Sequence, residues 1–250
     1  MAPVKYPSVA FALSLATGVV SAESVVTING KTLRSTHGSI IVQNSTVIVD
    51  GKVVSGEVVE GSGNRASEQR ELGDFDELRL HINARVTVTA GETPKCEITA
   101  DDNLLPLILT QRSGNTLEIS AQESYSTRQA ITIGIEVPVL RSAENSGSGT
   151  IRIDGVTRDT LALAINGSGD ISARGRVIQL RAAINGSGNL RAAALETTTA
   201  TVAINGSGNA EIHARDALTA NINGSGDLAY QGSPASVRTA INGSGSVREK

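Results

Sequence analysis

From about residue 145 onward, apolar and polar residues alternate in short runs that restart at a nearly constant interval. Leu161, Leu163 and Ile165 form one such run, Leu180, Ala182 and Ile184 the next, and Val202 and Ile204 a third. Alternation of period two marks a strand with one buried face. The runs lead into Gly-Ser-Gly, which begins at Gly147, Gly167, Gly186, Gly206, Gly224 and Gly243, at spacings of 20, 19, 20, 18 and 19 residues. Beyond each tripeptide the phase resumes, with Ile171 and Ala173, Leu190 and Ala192, or Leu228 and Tyr230, and a short polar stretch follows. Each repeat therefore reads as strand, sharp corner, strand and return.

Such a unit laid out as a hairpin sheet leaves one apolar row exposed, whereas coiling stacks each strand on its counterpart one turn later. The predicted fold is all-β: a right-handed parallel β-helix with coils of about 20 residues. Its coils rise by one strand spacing, roughly 4.8 Å, so six give a rod on the order of 30 Å long. From the second copy on, the corner reads Ile-Asn-Gly-Ser-Gly. Its glycines are Gly167 and Gly169, Gly186 and Gly188, Gly206 and Gly208, Gly224 and Gly226, and Gly243 and Gly245. Corners need positive φ or close backbone approach, which a Cβ opposes. The preceding asparagines, Asn166, Asn185, Asn205, Asn223 and Asn242, lie one above another in such a stack, where amides form ladders. A polar ligand-binding row is the alternative reading of the same column. The first copy is degenerate, with Asn145 and Ser146 before Gly147.

The N-terminal part differs. Residues 23–54 read as a β-hairpin segment, with turn dipeptides at Asn29-Gly30 and Asp50-Gly51 between alternating strands. Residues 55–71 are polar and aperiodic and read as a linker. Strands are predicted again around Leu78–Leu80, Val86–Ala90, Glu97–Thr99, Leu117–Ser120 and Ile131–Val137. Between them, Asp101-Asp102-Asn103 ahead of residues 104–109 predicts a short N-capped helix that covers the open edge of the first coil.

Several of these segments carry a family resemblance: Phe75-Asp76-Glu77-Leu78, residues 100–106, Thr116-Leu117-Glu118-Ile119, Val137-Pro138 with Leu140, and the Gly-Ser-Gly corners. Together they resemble the head GIN domain family of autotransporter adhesins, in order and spacing, from about residue 72 to 250, with the repeats over 145–250. The resemblance implies a bacterial envelope protein with a right-handed β-helix. After Gly245 only Ser-Val-Arg-Glu-Lys remains, so self-secretion through an attached barrel is not expected.

Composition narrows the function. Lys5 and the apolar run from Val9 to Val20, followed by Val20-Ser21-Ala22, read as an export signal of residues 1–22 cleaved after Ala22. That run is shorter than the roughly 20 apolar residues of a bilayer span, so no integral membrane segment is expected once it is removed. Export places the protein in the periplasm, on the cell surface or in the medium. Removing the signal leaves 21 basic against 25 acidic residues without a basic cluster, which argues against nucleic acid as a partner. Cys96 stands alone in the sequence, so no intrachain disulfide is possible; it reads as a small buried hydrophobe, with an intermolecular disulfide as the alternative.

Catalytic signatures are weak. Sugar cleavage needs two facing carboxylates, but Asp154, Asp159, Asp170, Glu196, Glu211, Asp216 and Asp227 fall at different coil positions and read as solvated faces. His37, His81 and His213 are far apart, and no serine sits in a nucleophile elbow. Phe75, Tyr125 and Tyr230 are the aromatics after the signal, few for a sugar platform. The position after each corner is Thr150, Asp170, Asn189, Asn209, Asp227 or Ser246, too few carboxylates for a calcium column. No metal, cofactor or catalytic residue is expected. The sequence points to an exported non-catalytic recognition protein, adhesin-like, binding a protein or surface glycan and self-associating through its coil ends. A periplasmic envelope or signalling component is the alternative, and a polysaccharide-binding or polysaccharide-cleaving β-helix is a more distant one.

Overall fold

The computed structural model describes residues 58–250 and, ahead of them, the strands Ser24–Ile28, Lys31–Ser35, Ile40–Gln43, Thr46–Val49 and Lys52–Val53. These fall into two units, Met1–Glu57 and Val58–Lys250. In the first, Ser24–Ile28 pairs antiparallel with Lys31–Ser35, and Thr46–Val49 pairs antiparallel with both Ile40–Gln43 and Lys52–Val53. The pairs Ile28 with Lys31 and Val49 with Lys52 bracket the two expected turn dipeptides. Those dipeptides, and the expected signal over residues 1–22, lie outside the described residues.

The second unit is a parallel β-solenoid of in-register coils. On one face, Ile165, Ile184, Ile204, Ile222 and Ile241 occupy matching positions in successive strands. On another, Val86, Ile151, Ile171, Leu190, Ala210, Leu228 and Val247 do so. Alternation puts these columns inside, and Ile165, Ile184, Ile204, Ile171, Leu190 and Leu228 are buried. Burying one such branched side chain contributes about 1.5–3 kcal/mol, so a column of them supplies a large share of the driving force. Phe75 is the one aromatic among the buried core residues; Val, Ile, Leu and Ala fill the rest. Small inner residues such as Ala182, Ala200, Ala210 and Ala220 keep the bore narrow. In the last coil the columns reach the surface, with Val237 and Ile241 each 41% exposed.

Stacking order departs from sequence order at the other end. Glu77–Leu80 pairs in parallel with both Thr116–Ala121 and Ser142–Asn145. Ala84–Ala90 likewise lies between Ile131–Val137 and Thr150–Ile165. Residues 77–90 are therefore sandwiched between later segments. Beyond the layer of residues 116–137 the strand direction reverses: Lys95–Asp101 runs antiparallel to Ile131–Val137, Arg65–Arg70 antiparallel to Lys95–Asp101, and Ile108–Ser113 antiparallel to Thr116–Ala121.

Two expectations are corrected here. The linker over residues 55–71 contains strands: Val59–Glu60 pairs with Tyr125–Ser126, and Arg65–Arg70 is an outer strand of the cap. Its Arg-Ala-Ser-Glu-Gln-Arg sequence shows no alternation because only Ala66 and Arg70 are half-buried while the rest face solvent. Charged residues on such an edge also discourage further strand addition. The N-capped helix is instead a three-residue 3-10 turn, Leu105–Leu107, whose N-cap Leu104 offers no side-chain bond. Pro106 in that turn and the strand starting at Ile108 prevent its extension. The Asp102 carboxylate accepts instead from the Asn103 amide at 2.7 Å and from the Ser62 hydroxyl. Arg70 fastens the cap by donating to the carbonyls of Ile108 at 2.6 Å and Leu105 at 2.9 Å. Among the described residues no helix is long and apolar enough to cross a membrane.

Cys96 is buried on the inner side of Lys95–Asp101, opposite Ile135 and Arg70 in register. Burial pushes its thiol up to about 11, with the Arg70 charge opposing and the Glu68 charge assisting. In native protein at mildly alkaline pH the thiol is expected to resist alkylation and to react once urea exposes it; rapid labelling of the native chain would contradict this placement.

The corners generate a second expectation. At Gly208 an added Cβ would lie 2.2 Å from the Gly188 carbonyl oxygen and 2.7 Å from Ile184 Cγ2. Gly208→Ala should therefore cost about 1–3 kcal/mol, read as a lower urea midpoint at unchanged slope. An unaltered midpoint would show that the corner has room for a methyl group.

Candidate functional site

The corner of the solenoid is assembled from backbone first. The carbonyl oxygen of Gly186 accepts the amides of both Ser207 and Gly208 from the next coil, each at 3.0 Å. The Gly167, Gly206 and Gly224 carbonyls accept the equivalent pairs at 2.9–3.3 Å. This close approach forces the corner asparagines into one column. Asn185 Nδ2 donates to Asn166 Oδ1 at 2.8 Å, Asn205 to Asn185 at 2.9 Å, Asn223 to Asn205 at 2.9 Å, and Asn242 to Asn223 at 3.0 Å. The column starts on a carboxylate, since Asn166 Nδ2 donates to Glu144 Oε1 at 2.8 Å. These five residues hydrogen-bond in series along an exposed edge.

Sequence reasoning missed how the column is founded. Asn145 stands in register with Ile165, at the inner position that isoleucine fills in later copies. It is fully buried, donates through Nδ2 to the carbonyls of Gly149 at 2.7 Å and Asp170 at 3.2 Å, and accepts from the Gly147 amide at 3.2 Å. The degenerate first copy is a polar plug that closes the first corner. The readable signal was an asparagine one position early, in the isoleucine column.

A second ladder follows the corner. Asp170 Oδ1 accepts from Asn189 through its backbone amide at 2.9 Å and Nδ2 at 3.0 Å. Asn189 Oδ1 accepts from Asn209 Nδ2 at 3.2 Å, Asn209 Oδ1 from the Asp227 amide at 3.0 Å, and Asp227 Oδ1 from Ser246 through both amide and hydroxyl. Partial burial pushes the Asp170 carboxyl up, but hydrogen bonds from Arg191 and Asn189, with the Arg191 charge, outweigh it and hold the group below the usual range. At Asp227 the Ser246 hydroxyl does the same.

Between the corner edge and the return lies a flat outer face. Ala164, Ala183 and Ala203 are in register and half-buried on the outside, directly beside the asparagine column, with Asn221 and Ala240 continuing the row. Short side chains leave the sheet surface accessible to a flat partner. Elsewhere the carboxylates are matched by neighbouring cations: Asp154 with Arg152 and Arg174, Asp170 with Arg191, Glu196 with Arg176, Asp216 with Arg215, and Glu211 with Lys250. They are ion pairs along the stack rather than carboxylate pairs facing a substrate. His81 bonds Glu118 at 3.0 Å, His213 lies on another strand, and His37 is outside the described residues. Among the described residues no group of three or more His, Cys, Asp or Glu is placed to hold a metal ion.

In-register parallel coils joined by polar corner ladders define a solenoid-type repeat protein, in which each unit contacts mainly its neighbours. The chain belongs to the family described as "Putative auto-transporter adhesin, head GIN domain", which matches residues 74–234. The resemblance read from the sequence therefore holds. A crystal structure of a "putative adhesin" from Bacteroides fragilis superposes with a TM-score of 0.64 at 21% identity, covering 77% of this chain and 100% of that one. A "Putative lipid binding protein" from Parabacteroides distasonis gives 0.52 at 23% identity, covering 78% and 100%. At these identities the likeness is one of fold. No curated protein matches the chain.

Titration of the second ladder has a defined sign. The folded pKa of Asp170 is depressed, so its stabilisation is present above the unfolded-chain value and is lost as pH falls through the folded one. The carboxylate remains partly open to solvent, which keeps the effect small. Urea midpoints of the wild type should drop on acidification from neutral pH to below the ordinary Asp range, and less steeply in Asp170→Asn. Parallel pH profiles for the two proteins would count against the ladder as a titrating element.

Proposed function

We propose that the protein is an exported, non-catalytic, adhesin-like rod that recognises a protein or surface glycan through its flat solenoid face. The observation that carries this reading is the column Ala164, Ala183 and Ala203 set beside the amide ladder. A stiff surface of small side chains with regularly spaced amide groups favours many weak, repeated contacts over one deep pocket. Affinity then comes from shape match and little ordering cost rather than from a single anchor. Family membership supports an envelope location, and the residues before Glu23 have the composition of an export signal.

The test is fractionation of native cells, following the mature chain that starts at Glu23 by antibody and by protease added to intact cells. Cleavage on intact cells or release into the medium is expected, and confinement to the periplasm would overturn the adhesin reading in favour of an internal envelope partner. Where host-matrix or glycan arrays then return a ligand, Ala183→Arg combined with Ala203→Arg should weaken binding about tenfold or more without lowering the urea midpoint. Undiminished binding would move recognition off this face.

A further inference from the structure

We infer that Asn242 is a site of spontaneous covalent modification, deamidation through a cyclic imide, and that the amide ladder protects the four equivalent asparagines beneath it. The chain contains an internal control for this chemistry. Asn166, Asn185, Asn205, Asn223 and Asn242 all sit in the same pentapeptide, Ile-Asn-Gly-Ser-Gly, so local sequence gives them nearly equal intrinsic reactivity. A following glycine has no side chain to hinder its nitrogen, which makes each of the five a favourable candidate. Differences among them must come from the fold.

At Asn242 the reaction balances with water as the only co-reactant. The backbone nitrogen of Gly243 attacks the side-chain carbonyl carbon of Asn242, forming a carbon–nitrogen bond. The bond from that carbon to Nδ2 breaks, and ammonia leaves with the proton from the glycine nitrogen. Water then opens the imide at either carbonyl, giving Asp or isoAsp. Ring closure requires the side-chain carbonyl carbon to leave its place in the stack.

The cost of leaving differs along the column. Asn185, Asn205 and Asn223 each donate to the amide below and accept from the amide above. Asn166 donates to Glu144 and accepts from Asn185. Asn242 donates to Asn223, and among the described residues no donor reaches its Oδ1. Its corner is also held from one side: the Gly224 carbonyl accepts from Ser244 and Gly245, whereas among the described residues the Gly243 carbonyl accepts no such pair. Most of the strand Ser236–Gly243 is exposed, unlike its buried counterparts.

The product propagates the effect. IsoAsp routes the main chain through the former side-chain carbon and lengthens it at a corner with no slack, where a Cβ on Gly243 would already lie 2.1 Å from the Gly224 oxygen. Losing that corner removes the donor above Asn223, which becomes the next unprotected amide. Conversion is therefore ordered from Asn242 inward, each step adding a negative charge.

The experiment incubates the native protein at mildly alkaline pH and follows Asp and isoAsp at all five sites by peptide mapping. Asn242 should convert about five- to tenfold faster than Asn185 or Asn205, the gain expected from one fewer hydrogen bond together with a looser corner. In urea the five rates should converge. Equal native rates at Asn242 and Asn205, or faster conversion at Asn205, would overturn the inference. Glu144→Ala separates ladder protection from fraying of the last coil, because it removes the acceptor below Asn166 in the interior of the stack. Asn166 should then convert about threefold faster while Asn205 is unchanged; no acceleration at Asn166 would overturn the protective role of the ladder.

Discussion

One contact recurs at the corners of Gly167, Gly186, Gly206 and Gly224, a glycine carbonyl oxygen taking two successive amides from the coil above. Everything else in the stack depends on it. Two donors on one acceptor bring the chains too close for any Cβ, so both corner positions must be glycine. The same approach fixes the vertical register, which a period-two strand needs if its apolar row is to stay inside. With the register set, isoleucine falls on isoleucine within and asparagine on asparagine without. The outer ladder and the inner column are two consequences of one backbone geometry.

The cap obeys a different constraint. Parallel strands with matching edges invite addition of another strand, and a solenoid must stop that at the end where its first coil begins. Here reversal of strand direction at Lys95–Asp101 and Ile108–Ser113, with the polar strand Arg65–Arg70 outermost, ends the parallel pile. Arg70 ties that outer strand to the turn beneath it through the carbonyls of Leu105 and Ile108. Closing the end uses chain that lies both before and after residues 77–90, so the cap is complete only when residue 137 is in place.

How far the sequence could be read follows from this. The repeats were legible because one backbone contact imposes the same glycines at the same spacing, and the inner row alternates strictly around them. Strands at residues 78–80, 86–90, 97–99, 117–120 and 131–137 were legible for the same reason, each having one buried face. Arg65–Arg70 was not, because an outermost strand has almost no inner face to write into its sequence. The placement of residues 77–90 between later segments was not either, since pairing across so many residues leaves no local mark. At the corner, the asparagine column was visible as identity, whereas the second ladder was hidden by its variety. Asp170, Asn189, Asn209, Asp227 and Ser246 hydrogen-bond in one line by different chemistries, backbone amide in one step and side-chain amide or hydroxyl in another. Asn145 looked like decay of the repeat, yet with Glu144 it is where the two columns begin.

The asparagine column also has a direction. Every amide in it points its nitrogen toward Glu144 and its oxygen away. Aligned side-chain dipoles add as peptide dipoles do in a helix, leaving partial positive charge at the nitrogen end and partial negative charge at the oxygen end. The carboxylate of Glu144 sits where the positive end emerges, as an acidic residue sits at a helix start. Coils that repeat the same backbone are thus electrically directional along this edge, and the column presents one polarity to whatever lies against it.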